Sequence, residues 1–272
     1  MFKNSLALAK ASWKVLREDK TLVLFPVFSG IATVITAALF FLPIGLIASS
    51  SDGFTPVAWI LTFLAYVVLA FVVIFFNSAL VFAADKRLHG QDVTVGEALQ
   101  SSMERIHVLL PWAVVSATVS IVLRAAEQRA GFIGRLVIGL IGVAWSLVTF
   151  LVLPVLVFEK LGPIAAVKRS GSLFKKTWGE NVVANAGIGI LGLLAFIAGA
   201  PLLLLIAAGP VGAVVGIGLF VLWIIGVSLV LSALTGIYQT ALYRYATNDE
   251  VVGFDQAVLQ NAFRPRKRNW LN

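Results

Sequence analysis

Outside its apolar runs the sequence offers little acid–base chemistry: Glu159 and Glu180 stand near the two ends of a basic stretch that contains Lys168 and Lys175. A carboxylate beside an ammonium at a membrane surface is the least that general acid–base attack on a lipid ester would need. The other usual parts of an active site are missing. The chain has no cysteine and only two histidines, His89 and His107, so neither a thiolate metal site nor a zinc cluster built from histidine alone can form. There is no G-x-S-x-G, no H-E-x-x-H and no P-loop. The glycines Gly187, Gly189 and Gly192 lie in an apolar run where no phosphate would sit, and with Gly212 and Gly216 they read as close-packing positions. No catalytic residue, cofactor or metal is therefore expected, and the chain is expected not to be an enzyme.

Two further groups of polar residues are candidates for function. Asn77 and Asn185, with serines and threonines such as Ser116, Ser120, Thr149 and Thr235, fall inside apolar segments, where such groups commonly hydrogen-bond between helices. No Asp, Glu, Lys or Arg stands at the centre of an apolar segment, which weighs against a proton-coupled transporter. Arg124 and Glu127, three residues apart and so on one helix face, begin a charged corner that ends at Arg135. That corner fits an outer-leaflet head group, a periplasmic partner or simply the snorkelling end of a span.

Composition dictates what positions these groups. Sixty per cent of residues are apolar and twelve per cent charged, with a mean hydropathy of +0.97, far from a soluble domain. Apolar runs long enough to cross a bilayer extend over 22–48, 57–84, 107–123, 136–158, 182–207 and 214–238. The stretch Leu161 to Asn181 differs from them. Ile164, Val167, Gly171, Phe174 and Trp178 recur at helical spacing, with Lys168, Arg169, Lys175 and Lys176 off that stripe. The pattern predicts an amphipathic helix in the membrane interface, leading into the span that follows. Shifted back by 158 positions it meets Trp13 and Leu16 with Lys10 and Lys14, and a weaker copy begins at Thr94, whose spacing to Glu97 forms a capping box.

These readings predict an all-α polytopic membrane protein, a single domain over 1–272. It has about six transmembrane helices in three hairpins, each preceded by an amphipathic interfacial lead helix. Internal repeats are expected over 1–84, 93–158 and 161–246, with a basic cytoplasmic tail over 247–272. Of 21 Lys and Arg, 18 fall on the side of the lead helices and only Arg124, Arg129 and Arg135 on the other. The positive-inside rule then predicts cytoplasmic termini, with the lead helices facing the anionic inner leaflet. The net charge of +8 is accounted for by these loops without nucleic acid. The expected partners are membrane lipids and an unidentified membrane protein.

Three runs carry a resemblance: SWKVLREDKTLVLFPVFSG from Ser12, AWSLVTFLVLPVLVFEKLGP from Ala144 and KRSGSLFKKTWGEN from Lys168. They resemble a family of uncharacterised prokaryotic integral membrane proteins known only as a domain of unknown function. More faintly, the plan of a lead helix plus hairpin is similar to the membrane domain of some glycerophosphodiester phosphodiesterases, but no catalytic domain is expected to accompany it and no such activity is carried over. The resemblance implies a plasma-membrane topology and no activity. The expected function is a lipid-facing scaffold or accessory membrane component, the alternative a transporter or channel subunit with a polar path.

Overall fold

The computed structural model describes residues 12–50, 55–178 and 187–247. Lys10, Gly179, Glu180, Asn185 and the tail from 248 lie outside the described residues, as do the side chains of Lys176 and Trp178. Helix α1 occupies residues 12–18, and a short 3-10 turn, Lys20–Val23, leads into α2, Leu24–Ser50. Helices α3, Pro56–Leu88, α4, Val95–Glu104, and α5, Ile106–Arg129, follow. Then come α6, Phe132–Thr149, α7, Val152–Phe158, α8, Pro163–Trp178, and α9, Gly187–Ala198. A 3-10 segment, Ala200–Ala208, precedes α10, Pro210–Ala246. No strand occurs among the described residues.

Among the described residues, five stretches are long and apolar enough to cross a membrane: Lys20–Ile47, Pro56–Leu88, Ile106–Arg129, Phe132–Phe158 and Pro210–Ala246. The run expected as the fifth of six spans, over 182–207, differs in its described part, which is the 12 residues of α9 followed by nine residues of 3-10 helix. Gly199 and Pro201 stand at the join, and proline both removes an N–H and clashes with the carbonyl four residues back. The 3-10 segment packs tightly on α10, because a Cβ at Gly216 would fall 2.8 Å from the Leu202 carbonyl oxygen. Gly209 makes the turn between them with φ +91°, a conformation open to glycine.

Packing is uneven along the bundle. Buried residues gather at the end that carries the lead helices α1, α4 and α8. They include Leu80, Ala83, Ala84 and Leu88 of α3, Val152 and Pro154 to Val157 of α7, and Ala233, Ile237, Ala241 and Leu242 of α10. Small residues let these helices approach, and a Cβ at Gly236 would press on Leu80. The opposite half exposes its apolar side chains, with Val34, Leu140, Leu204 and Val211 each more than two-thirds exposed. Such a surface suits acyl chains, not water. α5 and α6 are joined by the stacked rings of Trp112 and Trp145, 6.1 Å apart.

Candidate functional site

The end of the bundle with the lead helices also collects the charges. α3, α7 and α10 finish there, and three of their charged residues meet: Asp85 in the last turn of α3, Glu159 at the end of α7 and Arg244 in the last turn of α10. Arg244 donates to both carboxylate oxygens of Asp85, at 2.6 and 2.8 Å. Its guanidinium also lies 4.3 Å from the centre of the Phe158 ring, so one side chain ties three helix ends. Glu159 accepts from Arg169 Nε of α8 at 3.0 Å to both oxygens and from Tyr243 Oη at 3.0 Å.

Arg105, between α4 and α5, donates to the Val157 carbonyl at 2.7 Å and to the Ser101 carbonyl and Oγ at 2.6 Å. A cation here meets the unpaired carbonyls and negative dipole end of α7. Arg87 faces Asp19 at 3.4 Å and also pairs with Asp92. Breaking such a buried or half-buried pair from one side costs about 3–5 kcal/mol at the buried limit.

Lead helix α8 packs on the spans by a different edge from the one its periodicity suggests. Ala166, Ser170 and Leu173 are buried, whereas Ile164 is 72 % exposed. Val167, Gly171 and Phe174 are half-buried on the flank, and Phe174 packs against the protein core. The expected stripe is thus turned by about one residue, roughly 100° of helix. The reason is local. Pro154 has no N–H for the Phe150 carbonyl, and the span breaks between Thr149 and Val152. Ser170 Oγ fills the break, accepting from the Leu151 N–H at 3.1 Å and donating to the Val148 carbonyl at 2.6 Å. Gly171 beside it faces Val148, where a Cβ would lie at an ordinary contact distance, 3.5 Å from Cγ1.

The other lead helices share part of this plan. Ser12, Ser102 and Ser170, at the same spacings that align the three helices, are all fully buried. Ser12 Oγ and Ser102 Oγ have no hydrogen-bond partner among the described residues. α4 begins with the expected capping box: Glu97 N–H donates to Thr94 Oγ1 at 3.2 Å, and Thr94 N–H to Glu97 Oε2 at 2.8 Å. The bond from the Thr94 backbone, then that from its hydroxyl, holds the Glu97 carboxyl below its ordinary range.

Lys14, Lys168 and Lys175 are exposed, as is Trp13 at 50 %. Lys14 stands 3.9 Å from Glu18. Arg169 is turned toward Glu159 instead. Lys168 and Lys175 share the outward arc of α8 with Ile164, while Glu159 is held on the inward side by Arg169 and Tyr243. Asn77 is half-buried on α3. Several intramembrane hydroxyls do not bridge helices as the sequence suggests. Thr118, Ser146, Thr149 and Thr235 donate to carbonyls four residues back on their own helices. At the far end Arg124 and Glu127 lie on α5, which continues past the apolar run to Arg129.

The Ser170 bridge, the Asp85–Arg244 pair and the Arg105 cap are the features that spacing alone misses. Pro154 was the available signal for the first, opposite charges at two span ends for the second.

A family model described as a family of unknown function (DUF6159) matches residues 56–254. No curated protein and no solved structure matches the chain. The fainter likeness to the phosphodiesterase membrane domain finds no support in these comparisons.

Proposed function

The chain belongs to the DUF6159 family of unknown function, and from that premise we propose that it is a non-enzymatic membrane component whose lead helices engage an anionic lipid surface. The observation that carries this reading is the two-sidedness of α8. One arc is docked through Ala166, Ser170 and Leu173, and the opposite arc presents Ile164, Lys168 and Lys175. A rigidly docked helix with an outward apolar-and-basic arc holds its charges at fixed depth, each basic residue contributing about 1 kcal/mol on anionic lipid. The ion pairs around Asp85, Glu159 and Arg244 serve to join helix ends, which favours a structural role for these carboxylates over an acid–base one. Hydroxyls turned onto their own helices favour the scaffold over a polar transport path. In this reading the termini are cytoplasmic, in a plasma membrane, and the three units of lead helix and hairpin are copies of one repeat.

The test is spin labelling of the full chain, which has no native cysteine to interfere. Ile164→Cys and Lys168→Cys are labelled singly in liposomes with and without anionic lipid. We expect the label at 164 to sit at acyl depth and the label at 168 at head-group depth, both deeper in anionic liposomes. Water exposure of both labels, indifferent to lipid charge, removes the reading.

A further inference from the structure

We propose that the end of the bundle opposite the lead helices holds a binding site for the head group of an anionic phospholipid, formed by Arg124 and Arg129 of α5 against α3. A cavity of about 560 Å³ lies between these helices. Its polar rim is Arg124, Gln128 and Arg129, and its apolar wall includes Trp59, Phe63 and Ile121. Among the described residues no acidic one lines it. Glu127 instead lines a second cavity of about 460 Å³ with Arg135, on the other side of Arg124. Three arginines and one glutamate leave this corner at +2, although it lies at the end of the bundle that is otherwise poor in basic residues.

Arg124 is held in place and does not simply extend to water. Its guanidinium donates to the Tyr66 hydroxyl at 3.1 Å, across from α5 to α3. None of Arg124, Arg129 and Arg135 forms an ion pair among the described residues. An arginine fixed by a phenol, with its remaining donors beside a cavity free of carboxylates, suits a phosphodiester, which the planar guanidinium can bind through two parallel bonds.

The surroundings select a lipid as the source of that phosphate. Trp59, 63 % exposed, begins α3 beside the cavity, and an indole is favoured at head-group depth. From there the exposed Ile60, Phe63 and Leu64 line α3 toward the bilayer interior, where acyl chains would lie. A free anion would have no use for that wall.

The full chain is tested in a Lys168→Gln, Lys175→Gln background, so that the outward arc of α8 does not contribute. It is incubated in detergent with equal amounts of phosphatidylglycerol and phosphatidylethanolamine of the same acyl chains, and native mass spectrometry reads the retained lipids. We expect a preference for phosphatidylglycerol that falls about fivefold with Arg124→Gln and about fivefold again when Arg129→Gln is added, each step being about 1 kcal/mol. Phe63→Ala should lower retention of both lipids without changing their ratio. Arg124→Lys, which keeps the charge and safeguards the fold, should retain more of the preference than Arg124→Gln. An unchanged ratio in the doubly neutralised protein overturns the proposal. Complete displacement of the lipid by millimolar inorganic phosphate also overturns it, by assigning the site to a free anion.

Discussion

Replacing Ser170 by alanine removes a single oxygen, and its consequence can be worked out from two bonds. The hydroxyl accepts from Leu151 N–H and donates to the Val148 carbonyl, at the point where Pro154 has broken the fourth span. Leu151 is fully buried, so without Oγ its N–H has neither protein nor water partner. An orphaned buried donor costs about 1–3 kcal/mol, or roughly 5- to 150-fold in the folded-to-unfolded ratio. Ser12→Ala is the internal control. Its hydroxyl is equally buried but has no partner among the described residues, so its removal should be neutral or slightly stabilising. Equilibrium unfolding in mixed micelles, with detergent composition as the denaturing variable, measures both variants. A double-mutant cycle sharpens the test. Pro154→Ala restores an N–H at 154, lets α6 and α7 fuse and returns Leu151 N–H to the helix ladder, so Ser170→Ala should then cost much less. Equal effects of Ser12→Ala and Ser170→Ala, or no coupling to Pro154→Ala, would refute the assignment of Ser170 as the bridge across the break.

Other variants test the junction and its orientation. Asp85→Asn leaves Arg244 half-buried without its carboxylate and should destabilise by up to about 3–5 kcal/mol in the same assay, with Arg244→Asp failing to compensate unless combined with Asp85→Arg. The Glu97 carboxyl is depressed by its bonds to Thr94, so its stabilising effect is present above the unfolded carboxylate range and lost as pH falls through the lower folded value. The start of α4 should accordingly loosen in acid, measured as lower relative amide protection, and Glu97→Gln should remove that pH dependence. For topology, Ala130→Cys should react with an impermeant thiol reagent in intact cells and Ser172→Cys should not, as expected from the positive-inside rule applied to the distribution of Lys and Arg along the sequence. Labelling of the Ser172 variant alone would invert the orientation.

Long apolar runs were readily legible because a bilayer demands about 20 apolar residues regardless of packing detail. Five of the expected spans correspond to helices, and the capping box at Thr94 and Glu97 is formed as its spacing predicts. The docking edge of α8 was not legible. Hydrophobic periodicity weights Ile164 and Phe174 heavily and Ala166 and Ser170 lightly, yet close approach favours the small side chains, which allow the backbones to meet. Asp85 and Arg244 are 159 residues apart, and no local spacing rule connects them. Nor does apolar character distinguish a continuous span from α9 and its 3-10 continuation; there the clue was Gly199 with Pro201.

The three buried serines bear on how the lead helices are related. Ser12, Ser102 and Ser170 would be equivalent in the proposed repeat, and the residues that meet at the junction, Asp85, Glu159 and Arg244, follow them by 73, 57 and 74 positions. In the repeat proposed above, each lead helix would introduce a unit that ends at this shared point, the middle one being shortest. The copies differ where the chemistry differs. Only Ser170 has a broken span to bridge, because Pro154 lies in the helix it meets. Moreover, at the positions where α8 presents Lys168 and Lys175 the middle segment has Gln100 and His107, both exposed. On the proposed repeat, docking is the property the three lead helices have in common, and outward basic charge belongs to only two of them. On that argument, neutralising Lys168 and Lys175 should alter lipid preference and leave the junction intact, whereas breaking the Asp85–Arg244 pair should disturb the junction whatever lipid surrounds it.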